Sequence, residues 1–200
     1  MCKVKSLPRR RLLRNLVLRC FFAVYNLFNM AIQPLFSDEQ LSAALADLGV
    51  DFIIGDQDEF GTVHMKPESL ISGLAMSQDA RLRLSLIPLF LNRPDLSIHA
   101  EMVCEQIGKE GQITLQCYYQ AAVWLQMIFR DQIEGLLGPQ QTLTNLFSSS
   151  LKVSVIADPE ENLRRLAKRQ EELSQKNVNW LGTYYHAIEV WLRGTELQRG

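Results

Sequence analysis

The 200-residue sequence predicts a mainly α fold: a single-domain helical bundle around a buried central helix, with a minor β-hairpin. Three observations predict it. Apolar residues recur at helical spacing through most of the chain, helix-capping residues precede these runs, and one long run is apolar around its whole circumference. The hydrophobic fraction of 47% and the charged fraction of 22% exclude a wholly disordered, collagenous or multi-span membrane chain.

The N-terminus differs in charge from the rest of the chain, although the net charge is only -1. Residues 1–37 carry seven basic side chains and no acidic one, whereas the other 163 residues carry 14 basic and 22 acidic side chains. We therefore predict three parts: a basic and apolar extension over 1–36, a helical domain over 37–193 and a tail over 194–200. Arg9, Arg10, Arg11 and Arg14 form a candidate basic arm.

The extension has three interpretations: a signal or membrane anchor, an ordered part of the fold, or translated sequence upstream of a start at Met30. Its uncharged run, residues 20–36, has 17 residues, which is the lower limit for spanning a bilayer. Asn26, Asn29 and Pro34 interrupt that run. We therefore expect no transmembrane span, and we expect residues 1–29 to lie outside the folded domain.

The domain is predicted to begin with a helix followed by a β-hairpin. Ser37 followed by Gln40 forms a capping box for a helix that ends at Gly49. Residues 50–54 have strand composition, and residues 60–65 are their predicted hairpin partner. A lone hairpin of this kind is marginally stable and must pack on helices.

Prolines and short polar residues mark the next helices. Pro67 opens a helix that ends near Met76, and Ser77 caps the following helix, which runs to about residue 91. Pro88 should kink that helix because it lacks an amide hydrogen. Pro94 then begins another helix, which ends before Gly108.

Residues 113–137 carry the strongest helical pattern in the sequence. From Thr114 to Phe129 there is no charged residue, and apolar groups occur on every side of the helix. Such a helix is central and buried. Three uncharged polar residues interrupt the run: Gln116, Gln120 and Gln126.

The last third of the chain has two predicted helices after an irregular stretch over 140–157. Asp158 and Pro159 start a helix. The exposed face of that helix carries the basic cluster of residues 164–169. Because glutamates bracket that cluster, a solvated charged face explains it better than a phosphate site. Asn179 caps the last helix, which should run from Trp180 to about Arg193.

No motif for catalysis or metal binding emerges from the sequence, so no catalytic, cofactor-binding or metal-ligating residue is predicted. Cys104 and Cys117 lie in apolar runs typical of buried thiols, and no C-x-x-C pair occurs. We expect a reducing, cytoplasmic compartment. His64, His99 and His186 fall in different elements without metal-ligand spacing. His186 and Glu189 could form a base with its carboxylate, but a surface ion pair explains them better.

Two sets of residues are candidates for a site. Asp56 and Asp58 follow a predicted strand and could hold magnesium, although a polar hairpin turn explains them better. Trp180, Tyr184, Ile188 and Trp191 share one side of the last helix and form a candidate partner face. Aromatic residues at this spacing most often pack in a core, and the partner face is the alternative.

Three stretches together carry a resemblance: residues 79–94 (DARLRLSLIPLFLNRP), 118–126 (YYQAAVWLQ) and 179–184 (NWLGTY). They resemble uncharacterised bacterial helical proteins that are encoded beside nucleotidyltransferase-like partners in arrangements of the toxin–antitoxin type. The resemblance covers about residues 37–193. It implies a protein partner and no catalytic residue.

We therefore predict a non-enzymatic interaction or accessory protein that acts through a protein partner. One alternative is a nucleic-acid-associated regulator or antitoxin-like component that uses the basic arm. The second alternative is a nucleotide-processing enzyme that uses Asp56 and Asp58.

Overall fold

The computed structural model describes residues 36–50 and 65–199, and residues 36–200 form one compact unit. Secondary structure in the described ranges is helical, which confirms the predicted class. The predicted hairpin falls on residues 51–64, outside the described residues. The predicted extension also lies outside them, apart from Phe36.

Helices α1 (Asp38–Asp47) and α2 (Pro67–Met76) begin as their sequences predict. The Ser37 hydroxyl accepts from Gln40 N, and the Gln40 side chain accepts from Ser37 N, so the capping box is complete. The chain leaves α1 at Gly49, whose φ is +73°. Glycine suits this left-handed conformation because it has no Cβ that would clash. The Asn92 amide then donates to Leu48 O at 2.8 Å, which fixes this corner on the core.

The predicted helix before residue 92 is two helices, α3 (Ala80–Leu84) and α4 (Leu86–Asn92). The break falls at Ser85, three residues before Pro88, next to the Leu84 carbonyl that Pro88 cannot satisfy. The cap of α3 is Asp79, whose carboxylate accepts from Arg81 N at 2.7 Å. The prediction that Ser77 is this cap is wrong, because Ser77 closes α2 instead.

A 3-10 helix (Pro94–His99) leads directly into α5 (Ala100–Gln106). Pro94 occupies the first helical position, where its missing amide costs nothing. The predicted single helix is therefore a tighter turn followed by two turns of α-helix. It packs its buried side against α2 and the helix that follows.

The central helix is α6 (Lys109–Ile128), and α7 (Arg130–Leu137) continues the chain after a break at Phe129. The ten consecutive residues 117–126 are all buried, so every side of α6 faces protein, as predicted. α6 packs against α2, α4, α5 and the next long helix. The prediction of one helix to residue 137 is corrected by the break at Phe129.

The last two helices are α8 (Pro159–Ser174) and α9 (Trp180–Arg199). Asp158 and Asn179 cap them as predicted, accepting from Glu160 N and Gly182 N. α9 does not end at Gly194, so residues 194–199 of the predicted tail belong to the helix.

Candidate functional site

Residues 139–157 cross the bundle without helix or strand, and we call this segment the strap. It packs on the core through four buried apolar side chains: Leu143, Phe147, Leu151 and Val153. Its backbone amides and carbonyls need partners, because burial of an unpaired peptide group is costly. Side chains of the neighbouring helices supply many of them.

The central helix holds the first half of the strap with polar side chains. Gln126 donates from Nε2 to Gln141 O at 2.9 Å and accepts from Leu143 N at 2.8 Å. Two turns earlier, the Tyr119 hydroxyl donates to Thr144 O at 2.9 Å. Gln126 and Gln120 thus have a structural purpose that the sequence did not show, since Gln120 Oε1 also accepts from a strap amide, Phe147 N.

Helix α8 holds the second half of the strap in the same way. The Asn162 side chain donates to Ile156 O and accepts from Ile156 N, at 2.8 and 2.9 Å. Arg169 Nε donates to Leu151 O at 2.9 Å, and Arg165 donates to Ser154 O at 3.2 Å. The strap is therefore positioned by side chains from two helices.

Tyr119 also anchors an aromatic stack between α4 and the strap. Its ring lies edge-on to Phe90, with centroids 4.9 Å apart, and edge-on to Phe147, with centroids 5.4 Å apart. Such pairs add about 0.5–1.5 kcal/mol beyond their burial. Burial raises the pKa of the Tyr119 hydroxyl to about 12, so this group is a neutral donor at physiological pH.

The four residues of the predicted partner face are not a free surface. Tyr184, Ile188 and Trp191 lie in the core, and Trp180 is half-buried against it. The Tyr184 hydroxyl donates to Gln170 on α8, and burial raises its pKa well above the usual value. The partner-face candidate is therefore wrong for Tyr184, Ile188 and Trp191, and the structure shows the core packing that their spacing favours. The indole nitrogens of Trp180 and Trp191 have no partner within the described residues.

Both described cysteines are structural thiols. Cys117 is fully buried in α6, and burial raises its pKa to about 12. Cys104 is buried beside the Gln116 amide, 3.3 Å away, and burial again raises its pKa. Thiols are nucleophilic as thiolates, so neither group is activated at neutral pH.

The two described histidines lie on different surfaces. His99 Nδ1 is 3.0 Å from Glu68 Oε1, a contact that joins the 3-10 helix to α2. His186 is exposed on α9, and within the described residues it forms no ion pair with Glu189. The structure therefore does not bring the described histidines together.

The basic cluster of α8 is paired along its own helix. Arg164 contacts Glu160 at 3.2 Å, Arg165 contacts Glu161 at 3.2 Å, and Arg169 contacts Glu172 at 2.8 Å. These intrahelical pairs favour the predicted solvated face over a phosphate site.

The remaining predicted residues lie outside the described ranges. They are Arg9, Arg10, Arg11, Arg14, Asp56, Asp58 and His64.

Within residues 36–50 and 65–199, no group of three His, Cys, Asp or Glu side chains could hold a metal ion. In the same ranges, no helix combines the length and the apolar character needed to cross a membrane.

The described surface carries one pair of exposed apolar residues within a single short helical run. Ile98 in the 3-10 helix is 79% exposed and Met102 in α5 is 42% exposed. Glu101 and Glu105 are exposed beside them. Helical spacing alone does not separate Met102 from the core face, because the period changes where the 3-10 helix becomes α-helix.

Comparisons with protein-family models, with curated proteins and with solved structures find no match to this chain.

Proposed function

We propose that this chain is a non-enzymatic interaction protein that acts through a protein partner. The observation that supports this function is the exposed apolar pair of Ile98 and Met102 on an element whose other side is packed in the core. Contiguous exposed apolar patches on a protein surface mark sites of protein–protein interaction.

The chemistry of the described residues agrees with a binding role. Cys104, Cys117 and Tyr184 carry buried groups whose pKa values are raised, so they stay protonated at neutral pH. The stretches that carry the resemblance serve packing: Tyr119 and Gln126 hold the strap, and Asn179 caps α9. The partner class that the resemblance implies is nucleotidyltransferase-like, and we propose that class as the first to test.

The two alternatives rest on residues outside the described ranges. The nucleic-acid regulator would use Arg9, Arg10, Arg11 and Arg14, and the nucleotide-processing enzyme would use Asp56 and Asp58. No observation in the described residues favours either alternative. The paired arginines of α8 do not add a second cationic surface to the basic arm.

Affinity purification of the tagged full chain from its source organism tests the function. The chain should be expressed at its natural level and cross-linked in intact cells before purification, with the tag alone as control. We expect one protein to be enriched at a fixed ratio and to form cross-links to residues 65–199. Recovery of the chain alone, or enrichment of nucleic acid instead of protein, would contradict the proposal.

A further inference from the structure

We infer that the first half of the strap occupies a peptide-binding groove on α6, and that a strand-like segment of the protein partner binds there in its place. The side chains that recognise the strap are Tyr119, Gln120 and Gln126, and we call this site the strap groove. The inference rests on the proposed function. It adds a site other than the exposed apolar pair, and it gives the chemistry of the occupant.

Gln126 contacts the strap as a residue of a neighbouring strand would. Its carboxamide donates to Gln141 O and accepts from Leu143 N, a carbonyl and an amide two residues apart. A residue in a parallel β-ladder bonds the same pair of groups on the next strand. The residue between them, Thr142, is exposed. Contacts of this kind recognise backbone and not a particular sequence, which is how peptide sites that add a strand gain affinity.

The apolar side chains of this half of the strap define which segment fits the strap groove. Leu143 and Phe147 are buried, and the Phe147 ring lies edge-on to Tyr119. The residues between them, Thr144 and Asn145, are polar and exposed. The occupant that these contacts fit is therefore a strand-like segment with leucine and phenylalanine four residues apart.

The strap is bound to the strap groove by side chains. Within the described part of the chain, no backbone–backbone hydrogen bond joins residues 139–147 to a helix. The donors and acceptors are instead the Tyr119 hydroxyl and the carboxamides of Gln120 and Gln126. Because these groups bind only peptide carbonyls and amides, a different segment with the same backbone shape can make all of the same contacts.

Two features make the strap an imperfect occupant. The Gln120 side chain is fully buried, and its Nε2 has no hydrogen-bond partner in the described ranges, although its Oε1 accepts from Phe147 N. A buried unpaired donor is destabilising, and a segment with a carbonyl at this end of the strap groove would pair it. Lys152, farther along the strap, has a φ of +57°, which side chains with a Cβ rarely adopt. Displacement of the strap would relieve both costs.

A synthetic peptide with the sequence of residues 139–150 (PQQTLTNLFSSS) is the probe, and its binding to the full chain is measured by fluorescence anisotropy. The natural chain should bind it weakly, because its own strap competes. Phe147→Ala in the chain weakens the competitor and keeps the recognising side chains, so we expect it to bind the peptide at least about tenfold more tightly. Asn162→Ala, which loosens the second half of the strap, should act in the same direction. No saturable binding to either variant overturns the inference.

Two methylated peptides test whether the strap groove recognises backbone. Methylation of the nitrogen that corresponds to Leu143 removes the N–H that Gln126 accepts, and should weaken binding at least about tenfold. Methylation of the nitrogen that corresponds to Thr142 is the matched control, because that amide forms no hydrogen bond within the described residues. The control peptide should bind as the unmodified peptide does. Equal effects of the two methyl groups would contradict recognition by Gln126.

Leu41→Ala controls for general loosening of the fold. Leu41 is buried in α1, which packs on α2 and α3, so its truncation destabilises the domain through other contacts. This variant should bind the peptide as weakly as the natural chain, and the melting temperature of each variant verifies its fold. A gain equal to that of Phe147→Ala would show that the peptide binds any loosened domain.

Hydrogen exchange on the natural chain tests displacement without any substitution. With peptide at millimolar concentration, the amides of Leu143 and Phe147 should exchange faster, because the side chains that accept from them now bind the peptide. The backbone amides of α6 should exchange as before. Bound peptide without faster exchange at the two strap amides overturns the inference.

The peptide also separates failure of the strap groove from failure of the function. If a partner purified without cross-linking is retained in excess peptide, the function stands and the strap groove is not its site. If the natural chain recovers no partner, the function fails, and the partner segment of the inference fails with it. If the natural chain dimerises and the peptide dissociates the dimer, the strap of a second copy is the occupant and the partner segment is overturned.

Discussion

The carboxamide oxygen of Gln126 accepts a hydrogen bond from the backbone N–H of Leu143 at 2.8 Å. The amide nitrogen of the same side chain donates to Gln141 O, so one glutamine satisfies two backbone groups of the strap. A polar residue near the C-terminal end of the central helix thus binds backbone groups that a neighbouring strand would otherwise have paired.

Gln126→Leu should lower the free energy of unfolding by about 2–3 kcal/mol, because Leu143 N loses its partner while buried. Urea unfolding followed by circular dichroism measures the change. Gln132→Leu is the matched control: Gln132 is exposed on α7, and its replacement should cost less than about 0.5 kcal/mol. Equal effects of the two substitutions would show that Gln126 does not anchor the strap.

Trp124→Asp should prevent stable folding. Trp124 is among the largest fully buried side chains, so the change removes its packing and leaves an unpaired charge in the core. We expect a cost of at least about 4 kcal/mol. Leu197→Asp places the same carboxylate at an exposed position and should cost less than about 1 kcal/mol. Thermal unfolding compares the two variants. A folded Trp124→Asp variant with an unchanged melting temperature would contradict the burial of Trp124.

Two glycine-to-alanine substitutions should change the free energy of unfolding in opposite directions. Gly49 has a φ of +73°, so Gly49→Ala places a Cβ in a left-handed conformation and should destabilise the chain by about 1–2 kcal/mol. Gly135 lies inside α7, where an added Cβ meets no atom within 4 Å. Gly135→Ala should therefore stabilise by about 0.5–1 kcal/mol. Chemical denaturation measures both, and a gain at Gly49 would be inconsistent with this backbone conformation.

Stability should fall at alkaline pH. Burial raises the pKa of Cys117 from 9.0 to about 12, and that of Tyr118 and Tyr119 from 10.0 to about 12. The folded state binds these protons more tightly than the unfolded state, so their contribution is full below pH 9 and is lost as pH rises from 9 to 12. Melting temperatures at pH 8, 9.5 and 10.5 should decrease in order. Cys117→Ala should flatten the first part of the decline, and an unchanged slope would exclude a contribution from this thiol.

Magnesium should leave the melting temperature unchanged, because a polar turn is the favoured interpretation of Asp56 and Asp58. A ligand that binds the native state raises its stability by mass action, so a titration with millimolar magnesium chloride is informative. A rise that Asp56→Asn abolishes would favour the nucleotide-processing alternative over the interaction protein.

Local signals allowed four of the helix starts to be predicted. Ser37, Asp158 and Asn179 cap as their side chains and spacing indicate, and Pro67 takes the first helical position. These features depend on neighbours within four residues, so the sequence alone contains them. The buried central helix was predictable for a related reason: apolar residues on every side leave no face for water.

Features that depend on distant residues were not predictable. Gly194 is a helix-ending residue by propensity, yet α9 continues through it. The position of the strap could not be predicted from its own residues. The side chains that bind its backbone, Gln126, Asn162 and Arg169, lie on other elements. The exposed positions of Ile98 and Met102 also needed the structure, since only the packing of this helical segment shows which of its apolar residues remain outside the core.

The way in which the strap is attached affects how the protein can open. Many of the strap's polar contacts end on individual side chains such as Tyr119, Gln126 and Asn162, and the helices keep their own backbone hydrogen bonds without them. Detachment of the strap is therefore a sub-global opening that requires less free energy than full unfolding. Residues 140–146 and 153–156 of the strap have neither helix nor turn, and irregular backbone of this kind is the form that a protease binds. A single cut in residues 139–157 would leave the two halves associated, and they would separate only in denaturant.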